Sequence, residues 1–363
     1  LSVSFFIIDK TNKQIYDLYE IDFTKSRCIT MATIKDVARH AGLSVTTVSR
    51  YLNNHPYISE DKKDKIKAAM KELDYTPNSA ATQLRSNRSF TIGVIVSRIT
   101  NPYFAYLIDA IEKVVKKTNY HLLIMQTYDD KDEELRLLDM LKQKHIDGII
   151  MASIENDLSV ISQYKQYGPI VLTGDKSLID SNLPVVWTDQ EKATYQAIQF
   201  LINQGYRHIA YCTGGAFDKT KHGSSRNIGF IKALEDNQID LKMEWIYKNI
   251  HTIEDGYKVA KDIVDNEKSK WPSAVFSGSD EVAAGMIKYL LEHNINVPGD
   301  IAIMGYDNQP LSEMLSIPLT TVSQPIEGIG YESTNLLMSY LNEKEYTVNQ
   351  DALELNIIER SST

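Results

Sequence analysis

The feature that most constrains this chain is the stretch 33–50, which reads TIKDVARHAGLSVTTVSR. Apolar residues recur at helical spacing over 34–41, Gly42 interrupts the pattern, and Ser44 is a suitable N-cap for a second helix that continues to residue 52. Two short helices joined by a turn that contains glycine are typical of a helix-turn-helix. The alternative is an ordinary pair of small helices.

The second of these helices is expected to have two chemically different faces. At about 100° per residue, Val48, Tyr51 and Leu52 fall on one side, which can pack against the first helix. The other side carries hydroxyl, amide and guanidinium groups, which suit base edges and phosphates. Its residues are Val45, Thr46, Ser49, Arg50 and Asn53. This pattern predicts a helix that reads DNA.

Charge is distributed unevenly along the chain. The 363 residues carry a formal net charge of −9. Residues 31–90 contain ten Lys and Arg against six Asp and Glu, a net charge of +4, and residues 1–30 contain four of each kind. The remaining 273 residues therefore carry −13. A basic module attached to an acidic body fits a regulator in which only the small module contacts phosphate.

Composition excludes several other classes of protein. The two cysteines, Cys28 and Cys212, cannot form a disulfide framework, and no CxxC or Cys/His cluster indicates a metal site. We therefore expect a reducing cytoplasm and neither a metal nor a cofactor. No apolar run approaches the ~20 residues of a membrane span, so no membrane partner is expected. The motifs GxSxG, GxxxxGK[ST] and HExxH are also absent, which argues against an enzyme.

From residue 91 onward, short apolar runs alternate with helical patterns. Buried strands separated by helices predict parallel sheets that are covered on both faces. The series divides into two halves, which suggests two lobes, and ligands of such folds bind beyond the carboxyl ends of the strands. The runs are residues 91–97, 121–127, 147–153, 169–173, 208–214, 273–278 and 300–306.

The headpiece sequence, through Asn53 and on to YTPNSAATQL at 75–84, closely resembles the DNA-binding domain of the lactose repressor/galactose repressor family of bacterial transcription regulators. The resemblance extends over residues 31–360. It implies an all-α helix-turn-helix headpiece with a hinge helix, followed by a two-lobed α/β core like that of periplasmic sugar-binding proteins. It further implies a homodimer or a tetramer on a pseudo-palindromic operator, with a sugar or sugar phosphate as effector. Repression relieved by the effector is the commoner arrangement, and the sign stays open.

The resemblance also implies domain boundaries. The expected domains are a headpiece, a hinge helix with its linker, and an effector-binding and dimerisation core, at 31–77, 78–90 and 91–363. Crossings of the core are expected near 187–189, 322–324 and 349–352. They would divide it into lobe one, 91–187 and 324–350, and lobe two, 188–323 and 351–360. Because Met31 directly precedes the headpiece, residues 1–30 are expected to be a non-native or disordered extension, with a genuine arm as the alternative.

Individual roles on DNA follow from the same resemblance. Val45 and Thr46 would face bases, and Arg50 could contact either a base or a phosphate. Leu84 takes the place of the leucine that wedges into the minor groove when two hinge helices pair. The alternative is an interdomain linker with one buried leucine. Phosphates would be positioned by Thr33, Ser49 and Asn53. The other residues expected at the DNA are Ser44, Thr47, Tyr57, Asn78 and Ala81.

The effector site is expected at four motifs that follow strands. The rings of Tyr103 and Phe104 could stack on a ligand. The Arg226 guanidinium offers several N–H donors in one plane, and Asp280 could accept hydrogens from a pair of hydroxyls. Each residue alone could instead be a helix cap or a packing aromatic. His251 aligns with a phenylalanine that contacts a flat base in the family's purine repressor, so a polar ligand is favoured; the alternative is that His251 is simply solvated. The remaining expected contacts are Asn101, Trp187 and Asp189.

Three other functions share parts of this pattern. A periplasmic-type sugar carrier would share the core, but it needs an export signal and has no use for a headpiece. A regulator controlled by another protein would look almost the same in sequence. A sugar-processing enzyme would require an acid/base pair in the cleft, and the sequence does not reveal one.

Overall fold

The computed structural model describes residues 2–9, 14–22, 32–52, 55–76, 87–218 and 224–363, and the chain divides into two compact units, Leu1–Asn87 and Arg88–Thr363. The described residues of the first unit contain two antiparallel strands and three helices. These are β1 Ser2–Asp9, β2 Gln14–Asp22, α1 Ile34–His40, α2 Val45–Leu52 and α3 Glu60–Glu72. The expected extension over 1–30 thus carries a strand pair, and a start of translation at Met31 stays a prediction.

The helix-turn-helix forms where its local sequence favours it. Thr33 begins α1 with a capping box, in which its hydroxyl accepts from the Asp36 N–H and the Asp36 carboxylate accepts from the Thr33 N–H. Gly42 has φ +65°, a left-handed conformation that glycine adopts without strain, and it separates α1 from α2. Ser44 Oγ accepts from the Thr47 N–H at 3.1 Å. The buried core consists of Val37, Ala38, Val48, Ile66 and Ala69.

The second unit contains two sheets, whose apolar strands are buried because helices cover both faces. The first sheet consists of β3 Thr91–Val96, β4 His121–Gln126, β5 Gly148–Met151, β6 Ile170–Asp175 and β7 Val185–Thr188. All five are parallel, in the order β4-β3-β5-β6-β7. The second sheet consists of β8 Ile209–Thr213, β9 Ile246–Lys248, β10 Ala274–Phe276, β11 Ala302–Asp307, β12 Thr320–Ser323 and β13 Asn356–Ile358.

The expected parallel sheets are confirmed except at one strand. The second sheet has the order β13-β12-β11-β10-β8-β9, and β13 is antiparallel to β12. The helices of this unit are α4 Pro102–Val115, α5 Lys131–Lys142, α6 Leu158–Ile161, α7 Gln190–Asn203, α8 Ser225–Asp236, α9 Ile253–Val264, α10 Asp280–Glu292, α11 Leu311–Met314 and α12 Ile326–Leu341. None of the described helices is both long and apolar enough to cross a membrane.

The chain passes between the two sheets three times. β7 belongs to the first sheet, whereas α7 packs in the core of the second. β12 belongs to the second sheet, whereas α12 packs in the core of the first. The chain then returns through the 3₁₀ turn Gln350–Leu353 to β13. Lobe one is defined as the first sheet, its helices and α12. Lobe two is defined as the second sheet and its helices. Because β13 enters lobe two from the side on which β12 leaves it, β13 must run antiparallel to β12.

Candidate functional site

A cavity of about 360 Å³ lies between the two lobes of the second unit, at the carboxyl ends of their parallel strands. We call it the interlobe cavity. Ligands of doubly wound sheets bind at this position. Its walls include five of the residues expected at the effector, namely Asn101, Tyr103, Phe104, Arg226 and His251. The described residues contain no group of three or more His, Cys, Asp or Glu side chains that could hold a metal ion.

Arg226 is held in a fixed orientation at the start of α8. Its guanidinium carbon lies 3.6 Å from the centroid of the Tyr306 ring. Its Nε donates to Gln190 Oε1 at 3.0 Å and its Nη1 donates to the Gly278 carbonyl at 3.1 Å. Although burial opposes the charge, Tyr306 and Asp307 raise the pKa of Arg226. The guanidinium therefore stays cationic, and two of its five N–H groups make these bonds.

Asp307 is a candidate site residue that the sequence motifs do not indicate. It ends β11 with φ +103°, and its side chain lines the interlobe cavity. One carboxylate oxygen accepts from Gln324 Nε2 at 2.7 Å and the other accepts from Gln309 Nε2 at 3.4 Å. Burial raises the pKa of Asp307 to about 6, while Arg226 opposes the shift. The available signal was an acidic residue directly after the predicted strand 300–306.

On the lobe-one wall, Tyr103 and Phe104 follow Asn101, which is the N-cap of α4 and accepts from the Tyr103 N–H at 3.0 Å. The two rings lie edge to face, with centroids 5.2 Å apart. On the lobe-two wall, the His251 N–H donates to Asp255 at 3.1 Å. Partial burial of its ring and the charge of Arg98 lower the pKa of His251. The cavity thus presents aromatic surface on one side and hydrogen-bonding groups on the other.

Asp280 does not lie among the residues that line the interlobe cavity, contrary to expectation. It is fully buried at the start of α10, and its carboxylate accepts from the Gln309 N–H and from Thr321 Oγ1, each at 2.6 Å. Burial, followed by the charge of Asp307, raises the pKa of Asp280 to about 8. Its observed contacts hold the loop after β11 against β12. A role at the effector therefore stays a prediction for Asp280, because a carboxylate at a helix start can point into the protein as easily as into a cleft.

Trp187 and Asp189 also lie outside the interlobe cavity and line a different one, of about 270 Å³. Asp189 is the N-cap of α7 and accepts from the Lys192 N–H at 3.0 Å. The Trp187 ring lies 5.6 Å from Lys176 Nζ. A helix cap and a ligand contact both place an acid after a strand, so the sequence pattern did not distinguish them.

In the first unit, α2 exposes the face that was expected to read DNA. Val45 is 41% exposed, Thr46 and Arg50 are exposed, and Val48 is fully buried on the opposite side. Tyr57, in the loop before α3, is 88% exposed. Of the other expected residues, Ser49 and Thr47 are half-buried, and the hydroxyls of Thr33 and Ser44 act as helix caps. Four more lie outside the described residues, namely Asn53, Asn78, Ala81 and Leu84.

Comparison with known proteins gives two matching family models. The model described as "Bacterial regulatory proteins, lacI family" matches residues 33–78. The model described as "Periplasmic binding proteins and sugar binding domain of LacI family" matches residues 89–354. The NTD biosynthesis operon regulator NtdR of Bacillus subtilis (strain 168) is 38% identical over 303 residues, which cover 84% of this chain and 91% of the relative. The transcriptional repressor PurR of Pectobacterium carotovorum is 32% identical over 334 residues, with coverages of 92% and 97%.

Solved structures give the same grouping. A LacI family transcriptional regulator from Lactobacillus casei with bound sucrose aligns with a TM-score of 0.71 at 37% identity, covering 75% of this chain and 99% of that one. The lac repressor dimer bound to operator and an anti-inducer aligns with a TM-score of 0.79 at 23% identity, with coverages of 91% and 98%, and it supports the fold alone. From the two family models and the curated relatives, we conclude that this chain belongs to the LacI family of bacterial transcription regulators.

Proposed function

We propose that this LacI-family DNA-binding transcription regulator is a repressor that binds a pseudo-palindromic operator as a homodimer in the cytoplasm, and that a sugar-like effector in the interlobe cavity controls it. The observation that carries the proposal is the placement of Arg226 and Asp307 in one cavity, at the carboxyl ends of strands from a two-lobed fold. Regulators of this family are not enzymes. The interlobe cavity is therefore proposed to bind its ligand without converting it.

The chemistry of the cavity suits a ligand with many hydroxyl groups. A hydroxyl both donates and accepts, so neighbouring hydroxyls can donate to Asp307 and accept from Arg226. The Tyr103 and Phe104 rings offer an apolar surface for the carbon face of a sugar ring. The sucrose bound to the Lactobacillus casei regulator and the cellobiose bound to the regulator CelR support this class of ligand. A sugar phosphate is the second member of the class, because Arg226 also suits an anion.

For the DNA side we propose the roles implied by the family. Val45 and Thr46, on the exposed face of α2, would contact bases, and Ser49 with Thr33 would position phosphates. Paired hinge helices would place Leu84 in the minor groove, with Asn53, Asn78 and Ala81 as further contacts. Because binding free energies are linked, effector and operator must change each other's affinity by the same factor. We propose that the effector weakens operator binding.

A combined titration tests this function and separates it from its competitors. Melting temperatures are measured against a panel of sugars and sugar phosphates, with and without an operator fragment. We expect one sugar to stabilise the protein and to lower its affinity for the operator. Binding of sugar without any specific DNA would indicate a carrier, and specific DNA binding that no sugar changes would indicate control by another protein. Conversion of the sugar, followed by NMR, would indicate an enzyme.

The variant Asp307→Asn provides the test of the site itself. The substitution replaces one carboxylate oxygen with an NH₂ donor and removes the negative charge. We therefore expect the affinity for the sugar to fall about 10-fold or more, as for the loss of a charged hydrogen bond. Asp189→Asn is the matched control, because Asp189 is a carboxylate in a different cavity. Equal sugar affinities for both variants and the parent protein would refute the assignment.

A further inference from the structure

Two glutamines belong both to the crossings between the lobes and to the wall of the interlobe cavity. Gln190 is the first residue of α7, on the first crossing, and Gln324 follows β12, on the second. Both side chains line the cavity. Gln190 Nε2 donates to Gln324 Oε1 at 3.2 Å. A side-chain hydrogen bond therefore joins the two crossings to each other.

Each of these glutamines is also bonded to a charged residue of the cavity. Arg226 Nε donates to Gln190 Oε1 at 3.0 Å, and Gln324 Nε2 donates to Asp307 at 2.7 Å. The result is a continuous series of side chains, Arg226, Gln190, Gln324 and Asp307, that runs across both crossings. We call it the glutamine relay.

The bonding capacity of Gln190 is completely used in this arrangement. An amide offers two donor hydrogens and two acceptor lone pairs. Its Nε2 donates to Thr188 Oγ1 at 2.7 Å as well as to Gln324, and its Oε1 accepts from the Tyr306 hydroxyl as well as from Arg226. A shift of any one partner therefore breaks a hydrogen bond that the half-buried amide of Gln190 makes, and an unmade bond is costly where water cannot replace it.

We propose that Gln190 and Gln324 are positioning residues that transmit occupancy of the interlobe cavity to the two crossings. A ligand hydroxyl that donates to Asp307 competes with Gln324 for the carboxylate. A ligand oxygen that accepts from Arg226 draws the guanidinium away from Gln190. Both changes act on the bond between the glutamines and so alter the relative orientation of the lobes. The ligand class rests on the proposed function, whereas the relay itself is defined by the contacts of this chain.

The chain offers two matched controls of the same residue type. Gln309 Nε2 donates to the same carboxylate as Gln324, at 3.4 Å, but Gln309 lies after β11 within lobe two. Gln350 lies on the third crossing, where its Nε2 donates to the Trp187 carbonyl at 3.0 Å, and it lines the other cavity. Gln309 thus donates to the Asp307 carboxylate but does not lie on a crossing. Gln350 lies on a crossing but does not contact that carboxylate.

The experiment measures distances between the lobes in the full chain by pulsed electron spin resonance. Spin labels are attached to Asp132→Cys on α5 and Lys258→Cys on α9, both exposed positions, in a background that carries Cys28→Ser. Cys212 is buried and stays unlabelled. Distances are recorded alone and with sucrose, glucose or cellobiose at saturating concentration. Operator affinity is measured in parallel with each sugar.

We expect methionine at either relay position to change the interlobe distances without sugar. We define the coupling factor as the ratio of operator affinities without and with bound sugar. In Gln190→Met and Gln324→Met this factor should lie between about one and two, below the range of about 5–150 that is typical of coupled sites. The double variant should do no more than either single one, because both break the same bond. Gln309→Met should weaken sugar binding and keep the coupling factor of the parent protein, and Gln350→Met should leave sugar affinity unchanged.

Two results would overturn the inference. One is a parent-like distance distribution in Gln324→Met, and the other is an equal loss of coupling in Gln309→Met. If no sugar binds the parent protein, the proposed effector class fails, but the sugar-free distances still decide the relay. Circular dichroism checks that each variant folds, and Gln324→Asn, which keeps an amide but cannot reach both partners, replaces Gln324→Met if that variant does not.

Discussion

Asp307 and Asp280 are both in lobe two, but only the side chain of Asp307 lines the interlobe cavity. Asp307 ends its strand in the cavity wall, where Arg226 faces it. Asp280 turns inward, and its bonds to the Gln309 N–H and Thr321 fix the loop that follows Asp307. A buried carboxylate behind the cavity therefore supports the geometry of the one inside it. This support is also sensitive to pH.

We predict that Asp280→Asn makes the stability of the second unit less dependent on pH. The pKa of Asp280 is raised from 3.8 to about 8, so between these values the folded protein retains a proton that the unfolded chain has lost. The free energy of unfolding must then fall as pH rises through this window, by up to about 1.4 kcal/mol per pH unit. The amide can still accept from the Gln309 N–H and can donate to Thr321. Urea unfolding at pH 5, 6, 7 and 8 should give a shallower decline for the variant, and identical slopes would contradict the assignment.

Arg50 is the residue whose predicted role on DNA is most open, since it is exposed at the end of α2 and suits either a base or a phosphate. If it reads a guanine, Arg50→Ala should cost about 1–3 kcal/mol on the cognate operator and relax preference at one base pair. Lys35→Ala, on the exposed surface of α1, is the control, because it removes one positive charge from a different helix. Binding to a library of operator variants measures both. A uniform loss on all sequences would show that Arg50 contacts phosphate.

Among the strands and helices, the hydrophobic pattern of the sequence predicted those with a clear buried face or apolar run and did not predict those without one. The runs 91–97 and 121–127 became β3 and β4, and the capped segment after Ser44 became α2. The strands β9 and β13 contain three residues each and are only partly buried, so no apolar run marks them, whereas the equally short β10 is fully buried and was predicted within 273–278. β13 is also the antiparallel exception, and its direction follows from a long-range crossing that no local pattern encodes.

The contact between α9 and α10 shows what glycine contributes to this packing. A methyl group on Gly285 would lie 1.9 Å from the Ile253 carbonyl oxygen, so the two backbones are too close for any side chain there. We predict that Gly285→Ala destabilises lobe two by about 1–3 kcal/mol, the usual cost of overpacking. Gly215→Ala is the control, because no atom lies within 4 Å of its added methyl group. Denaturant midpoints compare them, and equal values would show that the helices separate at little cost.

The candidate site was predictable only in part, for a physical reason. Sequence motifs identify residues at strand ends, and five such residues do line the interlobe cavity. Motifs do not show which way a side chain points, so the sequence alone does not distinguish Asp280, which turns inward, from Asp307, which lines the cavity. Gln190 and Gln324 are 134 residues apart in sequence, and only the fold brings their amides into contact.

The whole molecule combines a basic headpiece with an acidic two-lobed core. Residues 31–90 carry +4 while the rest of the chain is strongly negative, so attraction to phosphate is confined to the DNA-reading module. Such a chain should bind random duplex weakly and depend on its operator for affinity. Control then requires that ligand binding in the core changes operator affinity.

The most direct test is a titration of fluorescent operator and random duplexes of equal length with the chain from Met31 onward, at about 0.15 M salt, where screening limits nonspecific attraction. The operator is selected from chromosomal fragments, and each titration is repeated with the sugar that stabilises the protein. We predict at least about a 10³-fold preference for the operator, and a several-fold loss of that preference when sugar is present. Equal affinity for operator and random duplex, with and without sugar, would contradict it.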